Sequence, residues 1–319
     1  MSPIVLDFEK PIVELERKIQ DLQELNKTGQ TDLSSEIKHL EKKHARLTSK
    51  IYLNLSRWQR VQLARHPNRP YSLDYISRIA PIFFEIHGDR RYGDDKSIVT
   101  GMGTIDRQKV MFVGQQKGKN TKDNIYRNFG MPKPEGYRKA LRVMKLAEKY
   151  FRPIICLVDT PGAYPGIGAE ERGQAEAIAR NLMEMAVLKV PILVIVIGEG
   201  ASGGALGIGV GDRLIMLENT WFSVISPEGC ASILWRDAGK AEIAADALKV
   251  TPQDLQDMGI CDYIIKEPLG GAHRDYDKIA EEVKNVILKE LNVLLKMTPD
   301  KLIEKRIAKY EAIGIWENQ

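Results

Sequence analysis

The sequence has 319 residues, of which 43% are hydrophobic and 28% charged, the composition of a globular protein rather than of a disordered chain. Its 47 basic and 43 acidic side chains leave a formal net charge of +4, too small to indicate a nucleic-acid partner. A chain of this length exceeds the usual size of one compact core, so we expect two domains or one large domain with an appendage.

The cysteines and the N-terminus indicate the compartment. Cys156, Cys230 and Cys261 are far apart and form no CxxC pair, so we expect neither a disulfide framework nor a zinc site. Residues 1–4 lack the layout of a signal peptide, and no apolar run reaches the ~20 residues that cross a bilayer. These features predict a protein of the reducing cytoplasm that holds no metal and contacts no membrane.

The first 66 residues predict a helical arm. Apolar residues from Ile12 to Leu25, and again from Leu33 to Leu55, recur at three- and four-residue steps between charged positions. A polar break at residues 26–32 separates the two stripes, which together predict an αα-hairpin that packs against the main domain or a partner chain. The basic, proline-containing segment 65–70 is typical of a linker and divides the chain into an arm (1–66) and a main domain (67–319).

The rest of the chain alternates strands, glycine turns and helices, a pattern that predicts a layered α/β domain. Strands are expected at 98–105, 109–115, 154–158, 192–197 and 213–217. Helices are expected at 73–84, with Ser72 and Asp74 as caps, and at 137–151, 170–187, 206–208, 238–248, 252–258, 277–295 and 299–310. Segment 116–121 is expected to be an exposed basic loop, and segment 226–230 a turn.

A glycine-rich stretch follows the most apolar strand. Residues 192–197 are an unbroken run of β-favouring residues, typical of a strand buried on both faces. After it, Gly203-Gly204-Ala205 leads into a short helix, where successive N–H groups lack helical partners. Such donors can stabilise an oxygen that gains negative charge during a reaction, as in an oxyanion hole.

Some familiar motifs are present only in part. Residues 159–162 match the DxxG loop of GTPases, but the chain has no GxxxxGK[ST] phosphate loop. Residues 198–203 fit GxGxxG with Glu218 farther on, yet the helix that would follow contains three glycines, each costing about 1 kcal/mol relative to alanine. Ser202 is outside the GxSxG register and the histidines show no ligand spacing, although His273 in a glycine loop fits a structural or a functional role equally. Charge stabilisation by backbone donors is the chemistry that remains.

Motifs spread over nearly the whole chain form a recognisable set, at 65–71, 128–138, 159–166, 168–181, 198–212, 226–235 and 267–274. Together they resemble the carboxyltransferase alpha subunit of the bacterial multi-subunit acetyl-CoA carboxylase. The resemblance implies a crotonase-like fold of stacked ββα units, here preceded by the N-terminal helical hairpin.

The resemblance also implies the reaction and the partners. The reaction is carboxyl transfer from carboxybiotin on the biotin carboxyl carrier protein to acetyl-CoA, which forms malonyl-CoA in the first committed step of fatty-acid biosynthesis. A beta subunit with a zinc ribbon would supply most of the acetyl-CoA site, within an α2β2 heterotetramer whose active site lies between the chains. Biotin carboxylase is a further implied partner, with ATP bound at the level of the complex.

The resemblance also implies which positions of this sequence form the active site. The backbone amides of Gly203, Gly204 and Ala205 correspond to the donors that hold the biotin ureido oxygen as carbon dioxide leaves. Segment 162–166 corresponds to a wall of the biotin pocket. Further substrate or biotin contacts are expected near the glycine pair and at the 226–230 turn, so that the binding set is Gly162, Ala163, Tyr164, Pro165, Gly166, Ser202, Glu228 and Gly229. A Gly204→Val substitution is expected to abolish transfer without preventing assembly.

Two other functions remain open from the residues. A stand-alone acyl-CoA hydratase or isomerase would need an acid/base near the glycine pair, and Glu199 or Glu228 qualifies by position. A structural or RNA-binding subunit is suggested by the basic residues Lys117, Lys119, Lys122 and Arg127, although scattered cations more often form a solvated face.

Overall fold

The structure is a computed structural model that describes residues 5–27 and 32–314. Within these ranges one sheet contains the strands β1 (Phe83–Glu85), β2 (Ile98–Ile105), β3 (Gln108–Gln115), β4 (Ile154–Thr160), β5 (Ile192–Ala201), β6 (Arg213–Leu217), β7 (Trp221–Ser223) and β8 (Tyr263–Ile265). The strand order is β1-β2-β3-β4-β5-β6-β8, and β7 pairs with the end of β5. The first three strands are antiparallel, and all pairs from β3 onward are parallel.

The strands and glycine turns of the sheet were largely predicted. All five expected strands are confirmed, but β4 and β5 run farther than expected, to Thr160 and Ala201. Gly198 and Gly200 therefore continue β5 rather than ending it. The strand continues because Gly200 pairs with Thr160 of β4 and with Phe222 of β7. Both positions need glycine, since Asp159 Oδ1 would lie 2.3 Å from a Cβ at Gly198, and the Phe222 ring 2.4 Å from one at Gly200.

Helices cover both faces of the sheet and form the N-terminal arm. They are α1 (Lys10–Lys27), α2 (Ser34–Leu53), α3 (Arg57–Ala64), α4 (Ser72–Ile79), α5 (Thr121–Tyr126), α6 (Pro134–Lys149), α7 (Ile167–Glu171), α8 (Gln174–Val187), α9 (Ser202–Leu206), α10 (Pro227–Trp235), α11 (Ala241–Leu248), α12 (Pro252–Asp257), α13 (Tyr276–Leu294) and α14 (Pro299–Glu311). Among the residues described, no helix combines the length and the apolarity that crossing a membrane requires.

The core lies on both faces of the central strands. In β4, Ile155 and Leu157 belong to the apolar cluster that α4 and α13 complete. The alternate residues of the strand, among them Cys156, belong to the cluster completed by α6 and α8. Every residue of β4 and β5 is buried, as expected for parallel strands between two helical layers. The apolar runs of these strands therefore show no alternation of polar and apolar residues.

The helical hairpin is confirmed in α1 and α2, whose apolar stripes pack together through Leu15, Ile19 and Ile37. Part of the predicted polar break, residues 28–31, lies outside the described residues. The prediction of a linker at 65–70 is wrong, because His66 and Arg69 are only 2% and 1% exposed. The Arg69 guanidinium donates to the carbonyl of Ile197 and pairs with Glu267, which ties this segment to the sheet. The division of the chain at this point stays a prediction.

Several helix bounds also needed correction. The helix expected at 73–84 ends at Ile79, because Ala80 precedes a proline and leaves the helical region. Asp74 caps it by accepting the N–H of Tyr71, whereas the Ser72 hydroxyl donates to the carbonyl of Gln115 instead. The helix expected at 170–187 is divided into α7 and α8 by Gly173, whose φ is 77°.

The turn expected at 226–230 is the first turn of a helix. The Ser226 hydroxyl accepts the N–H of Gly229, and Pro227 occupies the first position of α10. The sequence contains both signals of a helix start, but the glycine that follows them favours a turn when tertiary contacts are unknown.

Candidate functional site

The candidate site lies where β4 and β5 end. These strands are parallel, so the segments that follow them, 162–166 and 202–205, meet at one edge of the sheet. The backbone of Gly204 is in close contact with the Gly162–Ala163 peptide. A Cβ at Gly204 would lie 2.4 Å from the Ala163 nitrogen and 2.5 Å from the Gly162 carbonyl carbon. The structure thus brings together two segments that the sequence analysis assigned to one site.

The turn into α9 presents backbone donors. Ser202 has a φ of 50°, uncommon for a residue other than glycine, asparagine or aspartate. Because α9 begins at Ser202, the N–H groups of Gly203 and Gly204 have no carbonyl partner within the helix. Ala205 is one position farther on, where the N–H closes the first turn onto the carbonyl of the cap residue. The N–H of Ser202 also lacks a helical partner, so of the three predicted donors it is those of the two glycines, and not that of Ala205, that remain outside the helical bonds.

The loop after β4 is held by side chains that the pattern analysis did not select. The Thr160 hydroxyl accepts the N–H of Gly162 (3.1 Å) and donates to the carbonyl of Gly130 (2.7 Å). Gly162 has a φ of 142°, where glycine is favoured. Farther along, the amide of Gln174 donates to the carbonyl of Tyr164 (2.9 Å). Pro165 is exposed, while Ala163, Tyr164 and Gly166 are half-buried, so the loop forms an ordered wall next to α9.

A buried ion network lies at the same edge. Lys117, two residues after the end of β3, places its Nζ 2.6 Å from Asp159 Oδ1 in β4 and 2.6 Å from Glu199 Oε2 in β5. The three side chains are 13%, 1% and 8% exposed, so the predicted exposed basic loop is wrong at Lys117. Burial of this lysine gives Asp159 its cation and provides a second one for Glu199, which Arg65 also contacts.

Arg65 extends the network to α10. Its Nε lies 2.6 Å from Glu199 Oε1, and its two terminal nitrogens pair with the carboxylate of Glu228. The guanidinium also lies 5.4 Å from the centre of the Trp221 ring. Glu228 and Gly229 are thus both engaged inside the chain, Glu228 by Arg65 and the N–H of Gly229 by the Ser226 cap.

The network decides which carboxyls are ionised. Burial disfavours the charge of Glu199 and Glu228, but Lys117 and Arg65 outweigh it, and the pKa of both carboxyls is lowered. Burial raises the pKa of Asp159 despite Lys117, and its Oδ2 has no hydrogen-bond partner among the described residues. Glu199 and Glu228 are therefore anions held by cations at neutral pH, which is unsuited to a general acid.

A mostly apolar cleft of about 340 Å³ opens beside α9. Ser202 and Leu206 of α9 form one side, and the other side comes from β7, the end of α11 and α12, with Phe222, Ser223, Val224, Leu248, Lys249, Leu255, Met258 and Ile260. Of the predicted binding residues, only Ser202 lines this cleft.

Two further polar side chains contact the glycine turn. Gln115 Nε2 and the Tyr137 hydroxyl both donate to the carbonyl of Gly204. The sequence analysis named none of Gln115, Tyr137 and Arg65 as a site residue, and it named Lys117 only among the basic residues of the RNA-binding alternative. A glutamine that closes an apolar strand, as Gln115 does, is the signal that would have identified one of them.

His273 and the cysteines show no metal chemistry. The His273 ring stacks on His66 with centroids 3.9 Å apart, and burial lowers the pKa of His273 to about 3. Cys156, Cys230 and Cys261 are buried free thiols. In residues 5–27 and 32–314, no three histidine, cysteine, aspartate or glutamate side chains are grouped so that they could hold a metal ion.

Comparison with known proteins gives the family. Residues 5–314 match the family described as acetyl co-enzyme A carboxylase carboxyltransferase-like. The acetyl-coenzyme A carboxylase carboxyl transferase subunit alpha of Chlorobium phaeobacteroides (strain BS1) is 56% identical over 100% of this chain and 99% of its own length. The protein of the same name from Geobacillus sp. (strain WCH70) is 58% identical over 97% of this chain and 95% of its own length.

Solved structures support the fold. A Pseudomonas malonate decarboxylase hetero-tetramer in complex with coenzyme A contains a chain with a TM-score of 0.59 and 17% identity, matched over 74% of this chain and 91% of that one. A transcarboxylase 12S structure gives a TM-score of 0.54 and 20% identity over 68% of this chain, but this chain covers only 41% of that one. These are crotonase-fold proteins, so the predicted crotonase-like α/β architecture is confirmed. Taken with the full-length matches, this shows that the chain belongs to the acetyl co-enzyme A carboxylase carboxyltransferase-like family.

Proposed function

We propose that this chain acts as the alpha subunit of an acetyl-CoA carboxylase carboxyltransferase and transfers the carboxyl group of carboxybiotin to acetyl-CoA, forming malonyl-CoA. The main structural support for this proposal is the geometry of the candidate site. The Gly162–Ala163 peptide and the Gly203–Gly204 turn are in contact at the carboxyl edge of the sheet, and two peptide N–H groups there have no helical partner.

The chemistry asked of this chain is charge stabilisation. When a carboxyl group leaves the biotin ureido nitrogen, the ureido oxygen gains negative charge. The N–H groups of Gly203 and Gly204 fit that oxygen, because two donors fixed in a backbone need no reorganisation as the charge develops. Loss of one such donor typically costs about 2.7–4 kcal/mol of barrier height. In this proposal Ala205 is not a donor, and its side chain is buried in the core cluster completed by α6 and α8.

The donors are placed beside a cleft that suits a largely apolar ligand. Ser202 and Leu206 connect the turn to the cleft described above. Segment 162–166 stands on the other side of Gly204 and is proposed as a wall for the biotin ring. We place no reacting group on Glu228 or Gly229, whose polar groups are already used within the chain.

A partner chain is expected to cover this edge. Val224, Ile233 and Leu234 expose 78%, 72% and 63% of their surface around α10, close in sequence to Glu228. Exposed apolar residues of this size are typical of protein interfaces. We propose that a beta subunit brings the acetyl-CoA site to this edge in an α2β2 assembly, with the biotin carboxyl carrier protein and biotin carboxylase as further partners. The cytoplasmic location and the absence of a metal in this chain also remain proposals.

The alternative functions are less well supported by the geometry. A hydratase or isomerase would need Glu199 or Glu228 free to exchange a proton, and both are held by Arg65. RNA binding would need free cations, but Lys117 is buried in the ion network and Lys119 pairs with Asp74.

The first experiment measures carboxyl transfer from malonyl-CoA to free biotin by this chain alone, by a cognate beta chain alone, and by the two together. Activity only in the mixture is expected. Turnover of an acyl-CoA by this chain alone would contradict the shared site and favour the hydratase or isomerase.

A glycine substitution tests the donors. Gly204→Val is unsuitable, because its side chain would displace the Gly162–Ala163 backbone and disturb the fold as well as the chemistry. Gly203→Val is suitable, since the nearest atom to a Cβ there is Ile178 Cδ1 at 3.8 Å. Valine keeps the peptide N–H, but its side chain occupies the open space beside the turn and is expected to keep the biotin oxygen away from the donors. We expect a roughly 100-fold loss of transfer, comparable to loss of one donor. Gly93→Val, at a glycine with nothing within 4 Å of a Cβ, is the matched control and keeps wild-type activity. A fully active Gly203→Val complex would refute the donor role.

A further inference from the structure

The carbonyl of Gly204 is held by two buried side chains. Gln115 Nε2 donates to it at 2.7 Å and the Tyr137 hydroxyl at 3.0 Å. Both residues are fully buried, at 0% exposure. We call this pair of residues, Gln115 and Tyr137, the Gly204 clamp.

The helix itself does not satisfy this carbonyl. In a longer helix Gly204 would accept the N–H of Ile208, but that group donates to the carbonyl of Ala205 instead (3.2 Å). A buried carbonyl needs at least one partner, and one would suffice for folding. Here both lone pairs are used by donors from different elements, so the direction of the carbonyl is fixed and not merely satisfied.

Each half of the clamp is itself fixed. Gln115, the last residue of β3, accepts the N–H of Asp159 on its Oε1 at 3.1 Å, so its amide cannot rotate without losing two bonds. The Tyr137 ring packs on α9, where a Cβ at Gly207 would lie 2.5 Å from it. Asn181 of α8 donates to the carbonyls of both Tyr137 and Gly207. The clamp thus connects α9 to β3, α6 and α8.

Gly204 is a residue that needs such support. It has no side chain, and glycine has the greatest backbone freedom of any residue. Its Cα is confined by the Gly162–Ala163 peptide and its carbonyl by the clamp, which leaves its φ and ψ with little freedom. The planar peptide unit that ends in the Gly204 N–H is joined to the held carbonyl only through the φ and ψ of Gly204. Fixing those two angles therefore fixes the direction of the Gly204 N–H, one of the two donors assigned to the biotin oxygen.

We propose that Gln115 and Tyr137 are positioning residues for carboxyl transfer: by holding the carbonyl of Gly204, they aim the N–H of Gly204 at the oxygen that becomes negative. The proposal rests on the proposed donor role of Gly203 and Gly204. It assigns to two buried residues, neither of which need touch the substrate, a share in the rate of the chemical step.

The test uses the complex of this chain with its cognate beta chain and the transfer of a carboxyl group from malonyl-CoA to biotin. Tyr137→Phe keeps the ring and removes one donor. We expect its kcat to fall about 10-fold, less than the 10²–10³-fold of a lost direct donor, with KM for biotin and for malonyl-CoA within about twofold of wild type. Gln115→Leu is expected to lower kcat further, because it also removes the acceptor of the Asp159 N–H.

Tyr75→Phe is the matched control. Tyr75 is 1% exposed and its hydroxyl has no hydrogen-bond partner among the residues described, so removing that hydroxyl should leave kcat unchanged. All turnover numbers are referred to the concentration of assembled complex after size-exclusion chromatography. A purely structural role would lower the melting temperature or the yield of complex but not kcat per complex.

The outcomes separate the two proposals. A Tyr137→Phe complex with the kcat of Tyr75→Phe, while Gly203→Val is inactive, would overturn the clamp and leave the donors in place. If Gly203→Val is fully active, the proposed donor role is refuted, and the positioning role of the Gly204 clamp, which depends on it, is refuted as well. A selective fall of kcat in Tyr137→Phe, with an unchanged melting temperature, supports the positioning role.

Discussion

Lys117 is the cation on which the buried edge of the sheet depends. Its ammonium contacts Asp159 Oδ1 and Glu199 Oε2, both at 2.6 Å, from side chains that are 1% and 8% exposed. In a Lys117→Met variant, Glu199 keeps Arg65 at 2.6 Å. Asp159 keeps only the N–H of Glu199 as a polar partner, so its charge becomes a buried and uncompensated one.

The expected cost follows from that burial. Removing one partner of a buried ion pair typically lowers the free energy of unfolding by about 3–5 kcal/mol, because the remaining charge is buried away from water and has no counter-charge. For a protein of 319 residues that corresponds to a fall in melting temperature of roughly 4–8 °C. Lys119→Met is the matched control two residues away. Lys119 is 49% exposed in its pair with Asp74, and its loss should cost less than about 1 kcal/mol.

The pH dependence gives a second, independent readout. Burial raises the pKa of Asp159, and without Lys117 the folded-state pKa rises further above the unfolded value of about 3.9. The folded state then binds this proton more tightly, so stability is gained as the pH falls through the folded pKa. The difference between variant and wild type should therefore shrink between pH 7.5 and 5, and Lys117→Met/Asp159→Asn should recover most of the loss at pH 7.5.

Urea unfolding followed by tryptophan fluorescence measures these differences, since Trp221 is fully buried and next to Arg65. A Lys117→Met protein within about 0.5 kcal/mol of wild type at pH 7.5 would refute the reasoning. So would a loss that does not change with pH, because it would show that packing rather than the charge of Asp159 determines the cost.

Two further predictions concern the glycine turn and His273. Gly204→Ala should destabilise by about 1–3 kcal/mol, since its methyl group meets the Gly162–Ala163 backbone, whereas Gly203→Ala should stay within about 0.5 kcal/mol in urea unfolding; equal effects would contradict the contact. His273 has its pKa lowered to about 3 by burial, so the neutral ring contributes stability that is complete above about pH 6.5 and is lost as the pH falls toward the folded value. Wild type should therefore lose about 1 kcal/mol more than His273→Phe between pH 7.5 and 5.5, and parallel curves for the two proteins would show that His273 does not cause the loss.

The parts of the fold that were predictable are those with a local cause. The runs at 154–158 and 192–197 lie between two helical layers, and continuous apolar sequence is the direct consequence of burial on both faces. The stripes of α1 and α2 are equally local. Helix ends were less predictable. Gly173 divides a helix through a positive φ and Ala80 leaves the helical region before a proline, but a glycine or a proline in the sequence does not always interrupt a helix.

The parts that were missed depend on contacts distant in sequence. Lys117 is buried because Asp159 and Glu199 arrive from two later strands, and nothing in the basic segment 116–121 indicates them. Arg65 reaches Glu228 across 163 residues. Segment 65–70 has the composition of a linker, yet Arg69 is buried because Glu267 faces it. The composition of a segment shows which of its residues are charged. It does not show that a carboxylate from a distant part of the chain pairs with one of them and allows it to be buried.

The arrangement of charges explains why the proposed site relies on backbone groups. Lys117, Asp159, Glu199, Arg65 and Glu228 are the ionisable side chains of the network at this edge, and each is paired with another of them. The groups left for a ligand beside the cleft are peptide N–H groups, the loop at 162–166, and the side chains of Ser202, Ser223 and Lys249 that line the cleft. Peptide groups do not titrate, and their direction is set by packing rather than by a rotamer. Carboxyl transfer at this edge should therefore respond to the size of residues at 203 and 204, and to the buried groups that hold Gly204, more strongly than to the charge of any side chain in contact with the ligand.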